Sequence, residues 1–147
     1  MSMSDDEILE IFFMSTGLLV VDENKKLLRF MQRYIWEYQN IEVSIAKDEQ
    51  SAIEGIINFN KPLFIVLNQD LPSLNITAFF EKLLKNDFNI IGIVVCCAEP
   101  SENKLCHKYT QKYQSILKYI KSPMAPKIII NELINFTKLA IEKIFRD

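Results

Sequence analysis

Short, wholly apolar runs alternate along this chain with longer stretches in which apolar residues recur every three or four positions. The runs begin at Gly17 (GLLVV), Pro62 (PLFIVLN) and Asn89 (NIIGIVVCC), and each has strand length and polar or proline boundaries. Between them, KKLLRFMQRYIWEY places Leu27, Leu28, Met31, Tyr34 and Ile35 on one helical face. DEQSAIEGIINF and LNITAFFEKLLKN have the same helical spacing. IEVSIAK alternates, with Val43 and Ile45 on one side, and reads as a strand. SENKLCHKYTQKY predicts a weaker helix that Ser101 can cap. SILKYIK predicts a fifth strand carrying Lys118 and Lys121. The final stretch, APKIIINELINFTKLAIEKIFRD, predicts a long helix with Pro126 in its first turn.

Strands that alternate with helices imply right-handed crossovers and a parallel sheet covered on both faces. Continuous apolarity puts strands one, three and four in the centre. The alternating second strand and the lysine-bearing fifth suit the edges. The expectation is an α/β, flavodoxin-like (βα)5 three-layer sandwich with sheet order 2-1-3-4-5. In that order the chain reverses direction between strands one and three, and ligands bind at the carboxyl ends there. Those ends carry Asp22, Glu23 and Asn68.

Residues 1–16 form an extension before this unit, which occupies 17–147. In SDDEILEIFFMST, Ile8, Leu9, Phe12 and Phe13 share one helical face and acids fill the first turn. This predicts an additional N-terminal helix, packed on the domain or on a partner. The last helix carries Ile128, Ile129, Ile130, Leu133, Ile134, Phe136, Leu139, Ile141, Ile144 and Phe145, more than one narrow stripe. Such an excess predicts an interface.

Composition narrows the function classes. A chain of 147 residues, 49% apolar, can bury a core without disulfides or metal. A net charge of −2 argues against nucleic acid or an anionic membrane as partner. Cys96, Cys97 and Cys106 are an odd number, the start of the chain is acidic, and the longest apolar run, Ile90 to Ala98, falls well short of the ~20 residues of a spanning helix. A reducing, cytoplasmic setting is the expectation. The single histidine, His107, lies in a polar segment, which disfavours a histidine metal site. With only Gly17, Gly55 and Gly92, the chain has no glycine-rich phosphate loop, which excludes most nucleotide-binding enzymes.

Five landmarks then fall in order. Asp22–Glu23 end strand one, and Asn68 ends strand three, four residues before Pro72. Cys97–Ala98 end strand four, Ser122–Pro123 end strand five, and Tyr119 stands three before Ser122. From Gly17 to the C-terminus this resembles the receiver domain of bacterial response regulators. The resemblance implies a Mg²⁺-holding acidic pair at Asp22 and Glu23 and a phosphoacceptor aspartate at the position of Asn68. It also implies a hydroxyl at Cys97, a lysine at Ser122 and an aromatic switch at Tyr119.

Three of those positions depart from the pattern. The Asn68 amide has no anionic oxygen with which to form an acyl phosphate. The Cys97 thiol is a weak donor, and Ser122 brings no cation. Losing one carboxylate and one ammonium together keeps the nominal charge of the family site. Lys121 does not restore the cation, because adjacent strand residues point to opposite faces. These departures predict a pseudo-receiver: a non-enzymatic, phosphorylation-independent signalling module of a two-component or related system, acting through protein contacts. The alternatives are a small-molecule binder or enzyme using the acidic pocket, and a receiver phosphorylated at another residue, for which Asp70 lies too far past the strand end.

No resident cofactor is expected, with at most weak Mg²⁺ binding by Asp22, Glu23 and the Asn68 amide oxygen. Two nearby carboxylates would suppress the Cys97 thiolate, leaving Cys97 a passive small residue. Cys96 points the other way, into the core, and a Cys96–Cys97 bridge would be strained. The expected partners are a protein and a second copy of the chain, through the fourth helix, fifth strand and last helix with Tyr119. No nucleic acid or membrane partner is expected.

Overall fold

The computed structural model describes residues 4–39, 41–70, 75–85, 88–99, 116–121 and 125–146. Its elements are α1 (Asp5–Met14), β1 (Gly17–Val21), α2 (Lys25–Gln39), β2 (Glu42–Ala46), α3 (Glu49–Asn58), β3 (Leu63–Asn68), α4 (Ile76–Lys85), β4 (Ile90–Cys97), β5 (Leu117–Lys121) and α5 (Pro126–Arg146). The five strands are parallel in the order β2-β1-β3-β4-β5, as the apolar pattern predicts. The helix expected over SENKLCHKYTQKY, with Ser101, Cys106 and His107, lies outside the described residues, as do Pro72, Ser122 and Pro123.

Strand placement follows from burial. Every residue of β1 and the first five of β3 are buried, because helices cover both faces of a central strand. β2 and β5 mix buried and exposed positions, as edges do. Alternation then sorts the core into two layers. Leu18, Val20, Phe64, Val66, Val94 and Cys96 meet Phe13 of α1, Leu28, Met31 and Ile35 of α2, and Ile129, Leu133 and Phe136 of α5. Leu19, Val21, Ile65, Leu67, Ile93 and Val95 meet Ala52 and Ile56 of α3 and Phe79, Phe80 and Leu83 of α4.

The helix starts are locally encoded. Ser4 caps α1 by accepting from the Glu7 N–H at 3.2 Å, and Asn24 accepts from the Leu27 N–H at 3.1 Å. Asp48 and Ser51 form a reciprocal capping box at α3. The two bonds from the Ser51 N–H and hydroxyl hold the Asp48 carboxyl below its ordinary range. Two glycines are demanded by packing: a Cβ at Gly17 would run into the Phe59 ring, and one at Gly92 into the Phe136 ring by which α5 settles on β4.

The apolar excess of the last helix has an internal explanation for part of its width. Ile8 and Leu9 of α1 stand with Ile141 of α5 around one shallow groove, and α1 and α2 both pack on α5. Phe13 is buried and meets Phe64 edge-on, with ring centroids 6.4 Å apart. The face formed by Ile8, Leu9, Phe12 and Phe13 is therefore turned toward this chain's own core, with Phe13 and Phe12 in the layer beneath α5. Ile128 and Leu139 remain about half exposed on α5.

Candidate functional site

The ladders carry three strand ends to one edge. The Asp22 N–H donates to Ala46 O at 3.0 Å, extending the β1–β2 pairing by one residue. Asn68 pairs with Cys96, and the Gln69 N–H continues that ladder by donating to Cys96 O at 2.9 Å. By alternation from Val20, Val66 and Val94, Asp22, Asn68 and Cys96 share one face of the sheet. Cys97 and Tyr119 fall on the other face, the latter packed against the layer under α3 and α4. The sequence-predicted residues thus divide. Asp22 and Asn68 come together, Glu23 is exposed beside them, and Cys97 and Tyr119 stand behind.

Asp22 is buried, with 5% of its surface exposed, so its carboxylate needs donors. It accepts from the Asn24 N–H at 3.3 Å, and its other oxygen receives the Asn68 Nδ2 at a long 3.5 Å. The opposite end of the Asn68 amide, Oδ1, accepts from the Asp70 N–H at 2.9 Å. Two partners of fixed polarity therefore orient this amide: a backbone N–H can only donate, and an ionised carboxylate can only accept. Asp70 in turn reaches across to β4, where its Oδ2 accepts from the Ala98 N–H at 3.1 Å. The result is a relay from Asp22 through Asn68 and Asp70 to Ala98, tying together the carboxyl ends of β1, β3 and β4.

Asp70 and Asn24 are contributors that sequence reasoning missed. Their signal was present: Asn68 and Asp70 are two apart, the spacing of an Asx turn, and Asn24 follows Asp22 at the same interval. In this arrangement Asn68 presents its Nδ2 to Asp22 and its Oδ1 to the Asp70 N–H. Among the described residues no three His, Cys, Asp or Glu side chains gather around one point. Both described cysteines are buried. Burial pushes the Cys96 thiol up to about 12, with Cys97 and Asp22 adding to the shift. Cys96 lies in the core, as expected, but not on the face away from the site: the β3–β4 register pairs it with Asn68, so Cys96 shares the face of Asp22 and Asn68 and Cys97 takes the opposite one.

No protein-family model matches this sequence, and no curated protein matches it. Solved structures do. A CheY-like response regulator receiver domain protein from Methanospirillum hungatei superposes with a TM-score of 0.67 at 18% identity, over 86% of this chain and 98% of that one. The receiver domain of the Francisella response regulator 1452 gives 0.65 at 21% identity, over 83% and 96%. A two component transcriptional regulator AraC from Clostridium phytofermentans gives 0.65 at 15% identity, over 90% and 100%. The chain has the receiver fold, a flavodoxin-like sandwich with an N-terminal helix before β1. No described helix is long and apolar enough to cross a membrane.

Proposed function

We propose that this chain is a pseudo-receiver: a non-enzymatic module that signals through protein contacts independently of phosphorylation, in a reducing cytoplasmic setting. The observation that carries the reading is the Asn68 amide, which stands where the resemblance puts a phosphoacceptor and bridges Asp22 to the turn at Asp70. A carboxylate in its place would face Asp22 with like charge and would need a cation between them. The amide supplies the donor itself, so the edge holds together without Mg²⁺ and without a phosphoryl group. Asp70 supports the same reading, because its carboxylate already takes the Ala98 N–H at the end of β4. The described surface of α5 offers Ile128 and Leu139 for contact with a regulatory partner.

The test is intact mass after incubation with acetyl phosphate and Mg²⁺. The wild-type mass stays unchanged, and a hydroxylamine-sensitive adduct would overturn the proposal. Asn68→Asp alone gains phosphate slowly, because Cys97 and Ser122 still lack the donor and the cation that stabilise a transferring phosphoryl. Adding Cys97→Thr and Ser122→Lys raises the rate. A single variant as fast as the triple would show that the three departures are not coupled.

A further inference from the structure

Two exposed helical faces of this chain carry opposite charge. On α1, Glu7, Glu10, Ile11 and Met14 are exposed and follow the i, i+3, i+4, i+7 spacing of one face. On α2, Lys26, Arg29, Phe30 and Arg33 are exposed with the same spacing. The first stretch, Asp5–Met14, contains no basic residue, and the second adds Lys25 to its cations. Each face has a large apolar centre left open: Ile11 and Met14 are 51% and 60% exposed, and Phe30 is 54% exposed. The Phe30 ring also contacts Tyr34, with centroids 5.9 Å apart. Both helices pack on α5, and Glu7, Glu10, Lys26 and Arg29 remain exposed on the faces turned away from it.

We propose that a second copy of this chain covers both faces, with α1 of one protomer lying on α2 of its partner and the reverse. A twofold arrangement uses each patch twice. Glu7 and Glu10 meet Lys26 and Arg29 at the rim, while Ile11 and Met14 enclose Phe30 at the centre. Like charge within each face disfavours α1 on α1 and α2 on α2, which sets the pairing. The net charge of −2 imposes little overall repulsion between copies. The self-association face suggested by sequence includes the helix expected over SENKLCHKYTQKY, which lies outside the described residues. The α1–α2 match does not need that helix.

The experiment is mass by light scattering over a dilution series, on wild type, Glu10→Lys, Arg29→Glu and an equimolar mixture of the two variants. Wild type dimerises, and dissociates as salt is raised. Each variant alone weakens association by ~10-fold or more, because it sets like charges against each other. The mixture regains the dimer, because the basic α1 of one variant meets the acidic α2 of the other while the remaining pair is native. Both substitutions sit on solvent-facing helix positions, and neither opposes the helix dipole, so circular dichroism spectra stay at wild-type values, and so do denaturation midpoints taken at concentrations where every sample is monomeric. A wild type that is monomeric at high micromolar concentration overturns the proposal. So does a dimer insensitive to both changes, or a mixture that stays monomeric.

Discussion

At the carboxyl edge of the sheet, Asp22, Asn68, Asp70 and Ala98 are joined by three polar contacts of 3.5, 2.9 and 3.1 Å. At the amino end, Phe13 of α1 is sealed against Phe64, and among the described residues the layer around them buries fifteen side chains on four strands and three helices, with Ile41 just before β2. The first region is directional, partly exposed and built from a few hydrogen bonds, each worth about 1 kcal/mol net. The second is non-directional, and each large side chain buried there contributes about 1.5–3 kcal/mol. On the proposed reading, the difference explains how a receiver fold tolerates an amide at Asn68. Stability resides in the layers, so the edge can exchange a carboxylate for an amide at little cost to the fold.

The strongest way to break this comparison is to attack the apolar end. Phe13→Ala should cost about 3 kcal/mol in urea unfolding, since it removes a buried ring and leaves Phe64 without its edge partner. If α1 were an appendage, the midpoint would hardly move. Gly92→Ala comes next, at about 1–3 kcal/mol, because the added methyl must displace Phe136 and with it α5. An unchanged midpoint there would mean that α5 slides freely on β4. Asn68→Ala should cost only about 1 kcal/mol, as it removes both links of the relay while leaving the ladders intact. A loss as large as that of Phe13→Ala would show that the edge, too, holds the fold.

The smallest effect concerns pH. The folded Asp48 carboxyl titrates below its unfolded counterpart, because it accepts from the Ser51 N–H and hydroxyl. Its contribution is therefore fully present above the unfolded value, and is lost as pH falls through the folded one. Asp48→Ala should flatten stability against pH in the acidic range and leave the carboxyl-edge relay untouched. A pH profile identical to wild type would remove Asp48 from this account. It would leave the contrast between the two ends of the sheet resting on the neutral substitutions alone.

Much of this molecule is written locally. Strand order is legible because a central strand must be apolar on both faces, and Gly17–Val21 and Leu63–Asn68 are nearly so, while Glu42–Ala46 and Leu117–Lys121 are not. The inward face of α1 is legible from the spacing of Ile8, Leu9, Phe12 and Phe13, and the position of Asn68 at the end of β3 from the apolar run before it. What covers the wide apolar face of α5 was not legible, since helical periodicity marks a face without saying what it touches. Part of it meets α1 of the same chain. The relay could not be read either. Asn68 meets Asp22 across 46 residues of sequence, and Asp70 meets Ala98 across 28, so both contacts depend on how three strands stack in register. Periods of two and 3.6 residues set which way a side chain leaves its own backbone. Only the assembled sheet decides which polar atom stands opposite, and so whether an amide at the end of β3 faces a cation or donates to a carboxylate.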